Sequence, residues 1–125
     1  MMKNGVVSYS QDAVYGRIGE NIYGAFAPGV LEYTPHTASS YWYKESSNYD
    51  YVKGEAKEAG QEIWEFTSMI WKGVKEVGFG YAYGPGTISG HNGTLIYIVA
   101  KYSPTPNVVG EFTNNIGQPG QNLLQ

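Results

Sequence analysis

The sequence predicts a single α+β domain, and three observations carry that prediction. Segments 16–26, 76–83 and 94–102 alternate or run apolar in the manner of β-strands. Between the first two lie stretches with helical spacing, 35–47 and 63–72. The chain has 125 residues, enough for one core and too few for two.

In the first strand Ile18, Glu20, Ile22 and Gly24 alternate with Arg17, Gly19, Asn21 and Tyr23, and Ala27-Pro28-Gly29 is its turn. Thr34 then offers an N-cap and Pro35 a first helical residue. Ala38, Trp42 and Glu45 follow on one face, which aligns a carboxylate with an apolar stripe. Residues 48–61 are polar and glycine-containing, the composition of a loop. Phe66, Met69, Ile70 and Trp71 make the second helix, which Gly73 weakens. Val77, Phe79, Tyr81 and Tyr83 alternate as a strand, and Gly84-Pro85-Gly86 and Gly90-His91-Asn92-Gly93 bracket a hairpin connection. The last strand, 94–102, is apolar in both registers, so both of its faces should be buried. A protein contact from another chain or an exchanged segment is expected over the face carrying Ile96 and Ile98 or the opposite one carrying Tyr97 and Val99. It ends at Ser103-Pro104-Thr105-Pro106. The predicted domain runs over 1–112, and 113–125 reads as a C-terminal tail.

Composition narrows the function. With 8 Lys+Arg against 11 Asp+Glu the net charge is -3, and no basic cluster exists to hold nucleic acid. There is no cysteine, which excludes disulfides, thiolate metal sites and cysteine nucleophiles and points to a reducing, intracellular setting. A chain trimmed at its N-terminus would lose a signal peptide without trace, so an extracellular origin stays open. No window is long and apolar enough for a transmembrane span. Ser10 and Ser68 have no histidine beside them in the sequence pattern, and the glycine pairs lack a P-loop lysine.

Four collinear segments over about ninety residues resemble the CAP superfamily, that of plant pathogenesis-related protein 1, insect venom antigen 5 and the cysteine-rich secretory proteins. Gly19-Glu20-Asn21-Ile22 is similar to its Gly-Glu-Asn-aliphatic motif. Phe66-Thr67-Ser68-Met69-Ile70-Trp71-Lys72 resembles its His-Phe-Thr-x-x-x-Trp signature from the second position onward. Ile98 to Pro104, followed by Asn107-Val108, is similar to its second signature, and Trp42-Tyr43-Lys44-Glu45 to the helix between the first two. In style the chain is most similar to the cysteine-free Golgi-associated branch. The resemblance implies an α-β-α sandwich around a central antiparallel sheet. The long first helix of such domains, with its His-Asn-x-x-Arg motif, has no counterpart here, so one helical layer should be missing or short.

The resemblance also implies a cleft in which two His and two Glu meet, a site that binds zinc or another divalent ion in many members. The two Glu carry over as Glu20 and Glu45. Glu65 stands where the first signature has its His, and Tyr9 stands at the other His position, ten residues ahead of Gly19. A tyrosine with three carboxylates is a poor zinc site, and no calcium-loop pattern replaces it, so no metal or other cofactor is expected. His36 and His91 are read as solvated residues of a helix start and a turn.

Function is therefore read first as a non-catalytic binding or scaffold module with a degenerate cleft at Tyr9, Glu20, Glu45 and Glu65. The resemblance implies a sterol or other lipid ligand, held by the loop at 48–61, where Tyr49 and Tyr51 are the candidate contacts. The alternative is a structural component that completes its core on neighbouring chains, through a protein partner or self-association over a sheet face. A carboxylate-based hydrolase is the third reading, since clustered carboxyls can share a proton.

Overall fold

The computed structural model describes residues 18–27 and 36–120, together with the backbone of strands β1 (Met2–Lys3) and β2 (Val6–Val7), which pair antiparallel. Tyr9, Arg17, Pro28, Thr34 and Pro35, on which parts of the sequence reading rest, lie outside the described residues. The molecule is α+β. Its main sheet has the order β3 (Gly19–Ala27), β7 (His91–Ser103), β6 (Glu76–Ile88), all antiparallel.

Strand β7 is central because it is apolar in both registers, and only a central strand can bury both sets. Ile96, Ile98, Ala100 and Tyr102 are buried on one face and Val99 on the other. The face carrying Ile96 and Ile98 is thus covered within the chain, while Leu95 and Tyr97 on the opposite face stay partly exposed. On the first face helix α1 (His36–Tyr43) seats Ala38 and Trp42 against Ile96, Ile98, Ala100 and Tyr102, with Tyr23, Ala25 and Met69 at the margin. Helix α2 (Trp64–Ile70) lies on the same side and contributes Met69. Among the described residues the helices that pack on the sheet cover this face alone.

The hairpin is longer and its turn tighter than the glycines predict. Gly84-Pro85-Gly86 lies inside β6, and the turn is Ser89-Gly90, with φ of 51° and 79°. Positive φ at both central residues matches the right-handed twist of the strands. Pro85 is tolerated because β6 is an edge strand, where a missing N–H need not interrupt a ladder. Gly93 has a different role: a Cβ there would run into the backbone oxygen of Ala27 and the ring of Phe26. Gly93→Ala should therefore cost about 1–3 kcal/mol by forcing β3 and β7 apart. Gly78→Ala, whose Cβ would meet nothing, should be neutral or slightly stabilising, and thermal melts of the two variants check the contrast.

A second cluster lies outside the sheet, where Tyr49, Ile63, Phe66, Trp71, Phe112 and Ile116 are buried together. It corrects two expectations. The segment 48–61 is a small hairpin, β4 (Tyr49–Asp50) with β5 (Glu55–Ala56), and Tyr49 is fully buried. Tyr51 stands edge-on to it at 5.0 Å, half-buried in the same cluster, so these rings are core rather than a free lipid-facing surface. The compact region also runs past residue 112. Helix α3 (Phe112–Asn115) and Ile116 belong to the core, and Asn115 accepts from the Lys72 and Gly73 amides. Apolar spacing missed this because Phe112 and Ile116 are two isolated residues in a polar stretch.

Candidate functional site

Helix α2 begins at Trp64 with Ile63 in the cap position, a residue that has no side-chain oxygen to offer the first amides. The oxygen comes from elsewhere. After α1 the chain tightens into a 3-10 turn, Lys44–Asn48, and the Glu45 carboxylate reaches across to α2. Its Oε1 accepts from the amides of Glu65 (3.0 Å) and Phe66 (3.1 Å). A carboxylate here meets both the unpaired N–H groups and the positive end of the helix. This explains why Glu45 continues the apolar stripe of α1: it faces inward to hold the next helix.

Glu65, on the first turn of α2, brings a second carboxyl to the same place. Its Oε2 is buried and makes no hydrogen bond within the protein. Burial, then the charges of Glu45 and Glu62, push the Glu65 carboxyl up to about 7. Glu45 is also raised, by burial first; its two backbone bonds pull the other way and Glu62 adds to the rise. The hydroxyl of Tyr102, on β7, is pushed up to about 12 by burial and by the Glu65 charge, against the bond from Asn21. The result is a Glu65 carboxyl that keeps its proton up to about neutral pH beside the Glu45 carboxylate, next to a tyrosine that stays protonated.

Asn21 ties this pair to the sheet. Its Nδ2 donates to the Glu65 carbonyl at 3.0 Å and to the Tyr102 hydroxyl at 3.0 Å. On the far side of α2, Asn107 adopts φ 62° and bridges three groups. The Thr67 hydroxyl donates to its Oδ1 at 2.6 Å, and its Nδ2 donates to Ser68 Oγ at 2.9 Å and to the Trp64 carbonyl at 3.0 Å. Thr67 and Ser68 are therefore buried helix anchors, not nucleophiles. The sequence motifs contain both Asn21 and Asn107, yet composition alone gives them no role. Their position inside each motif was the available signal.

The structure thus brings Glu45 and Glu65 together. Glu20 precedes Asn21 on β3 and pairs with Lys101, and strand alternation turns its side chain to the opposite face of the sheet from Asn21 and α2. Tyr9 lies outside the described residues. His36 and His91 are exposed.

A family model described as CAP, the cysteine-rich secretory protein family, matches residues 2–102. This chain belongs to the CAP family. It does so with no cysteine at all. Protein PRY2 of Saccharomyces cerevisiae is 34% identical over 102 residues, which cover 81% of this chain and 26% of PRY2. The Golgi-associated plant pathogenesis-related protein 1 of Homo sapiens is 31% identical over 117 residues, 91% of this chain and 66% of that protein. Venom allergen 5 of Polistes fuscatus is 28% identical over 96 residues, 76% and 43% of the two chains. The present chain therefore spans only part of the length of each of these relatives. Among solved structures, venom allergen-like protein 4 of Schistosoma mansoni aligns with a TM-score of 0.45 at 23% identity, covering 73% of this chain and 46% of that one.

The divalent ion that CAP domains often hold does not fit the residues present. One Glu45 oxygen is committed to two amides, and the Glu65 carboxyl holds its proton up to about neutral pH. Among the described residues no three acidic or imidazole groups converge closely enough to hold a metal ion. Zinc also favours nitrogen and sulfur donors over a protonated carboxyl. Protein purified at pH 6–7 and dialysed against zinc should carry far less than one zinc per chain by elemental analysis. One zinc per chain, lost in Glu65→Gln, would contradict the mapping.

Proposed function

We propose that this chain is a non-catalytic CAP module that acts by binding a protein partner, with the aromatic side of β6 as its working surface. One observation carries the reading. Val77, Phe79, Tyr81 and Tyr83 are each more than half exposed in a row along one strand, while the Glu45 carboxylate is committed to the first amides of α2. Apolar groups exposed contiguously mark interaction sites more often than chance surface does. The degenerate cleft at Tyr9, Glu20, Glu45 and Glu65 is, in this reading, a structural remnant whose Glu45–Glu65 half fixes α1 to α2.

The lipid reading carried by the resemblance is the weaker one, because Tyr49 and Tyr51 are built into the second core. Among the described residues no helix is long and apolar enough to cross a membrane. An intracellular location is proposed with the function, supported by the Golgi-associated human relative.

The test has two arms. Ester hydrolysis should show no rate above buffer between pH 5 and 8, and a rate abolished by both Glu45→Gln and Glu65→Gln would establish the hydrolase instead. Co-sedimentation with phosphatidylcholine–cholesterol vesicles should leave the protein in the supernatant. Vesicle binding that Tyr51→Ala abolishes would restore the lipid reading.

A further inference from the structure

We infer that the partner of β6 is a second copy of this chain, joined edge to edge and antiparallel so that two three-stranded sheets become one. This rests on the preceding reading of β6 as the working surface and adds the identity of the occupant.

The placement of β6 is the starting point. Its inner edge is bonded to β7, and among the described residues nothing pairs with its outer edge. Val77, Phe79, Tyr81 and Tyr83 pair with Tyr102, Ala100, Ile98 and Ile96, so they share the face that α1 covers over β7. The helix stops short of them. Phe79, Tyr81 and Tyr83 are 66%, 70% and 68% exposed, and the last two rings stack at 6.1 Å. The other face of β6 carries Gly78, Gly80, Ala82 and Gly84, and a Cβ at any of these three glycines would meet nothing. Edge strands are normally guarded by a charge, a proline or a bulge. Between Val77 and Gly84 there is neither charge nor proline, and Pro85 comes only after them.

The strand is also complementary to itself. A two-fold axis through Gly80 sets Phe79 opposite Tyr81 and Val77 opposite Tyr83, while Gly78 meets Ala82 and Glu76 meets Gly84. Every apolar residue of the row gains an apolar or aromatic partner, and no two like charges face each other. An isologous contact of this kind closes on two copies and leaves no further edge of β6 to propagate. Aromatic side chains carry about 150–250 Å² each, so the exposed row offers at most roughly 400–500 Å² per chain. Two copies present up to about 800–1,000 Å², the size of a small, reversible interface, and the new backbone hydrogen bonds add to it. The opposite edge strand, β3, has no comparable row, since none of its residues is among the large exposed hydrophobics.

Sedimentation of the full chain from about 1 to 200 µM should show the 13.8 kDa mass doubling, with Phe79→Lys shifting the midpoint at least tenfold upward and Val109→Lys leaving it in place. Phe79 and Val109 are both exposed, so neither change should prevent folding, and far-UV circular dichroism verifies this. The register has its own readout. The chain has no cysteine, so Gly80→Cys introduces a single thiol beside its own copy. Mild oxidation should crosslink it at least tenfold faster than Gly90→Cys in the distant turn. A monomer at all concentrations overturns the inference, as does a dimer indifferent to Phe79→Lys, an open-ended series of oligomers, or equal crosslinking of the two cysteines. A monomer leaves the non-catalytic reading standing, whereas ester hydrolysis would remove that reading and leave the dimer.

Discussion

Trp42→Ala is expected to lower the stability of the domain by about 3–5 kcal/mol, the cost of emptying a tryptophan-sized space in a packed core. Trp42 is fully buried and sits at the centre of the only described layer over the sheet. It packs against Ile96, Ile98, Ala100 and Tyr102 of β7, and its indole N–H donates to the Ile22 carbonyl at 3.3 Å, pinning α1 to β3. A larger domain would spread this load over two helical layers. Because total stabilities of such domains lie near 5–15 kcal/mol, the variant should be partly unfolded at 37 °C. Trp64→Ala provides the comparison, since Trp64 is 53% exposed and its loss should cost about 1 kcal/mol. Urea unfolding followed by far-UV circular dichroism separates the two. Equal midpoints would mean that α1 is not what holds the sheet together.

The role of Trp42 was legible in the sequence because Ala38 and Trp42 repeat at a helical interval beside strands of clear alternation. The three main strands and both helices were legible for the same reason: each has a period that one face of the fold enforces. What the sequence hid were groups whose partners are distant. Glu45 looked misplaced on an apolar stripe until the amides of Glu65 and Phe66 supplied a reason, and those amides are 20 and 21 residues away. Tyr49 looked like a loop residue because its neighbours are polar, yet Ile63, Phe66 and Phe112 close over it. The length of β6 was underestimated since Gly84-Pro85-Gly86 has turn chemistry, and only its edge position lets it remain extended. Of the residues paired by family position, Glu45 and Glu65 lie together at the start of α2, whereas strand alternation turns Glu20 to the opposite face of the sheet.

Stability should fall as the pH rises from about 5 to 8, and Glu65 should be the main cause. Its carboxyl is raised from 4.5 in the unfolded chain to about 7 in the folded one by burial, with Glu45 and Glu62 adding their charge. Between these values the native state binds more protons than the unfolded state, so the free energy of unfolding declines with pH. The contribution is complete below about 4.5 and is lost as the pH passes through about 7. Glu45, raised in the same direction, reinforces the decline. Glu65 is only half-buried, so water screens part of the effect and the loss should be about 1–2 kcal/mol rather than the full value of the shift. Glu65→Gln keeps the shape and removes the titrating group, while Glu45 stays in place as the cap of α2. The variant should match the native chain near pH 5, lose little on going to pH 8, and be the more stable of the two there. Glu45→Gln differs in kind: it relieves Glu65 but surrenders a charged cap worth about 1 kcal/mol, so it should flatten the pH dependence while lowering the whole curve. Urea midpoints for the three proteins at pH 5, 6, 7 and 8 decide the matter. A native curve that rises with pH, or a Glu65→Gln curve parallel to the native one, would show that the Glu65 carboxyl does not set the pH dependence.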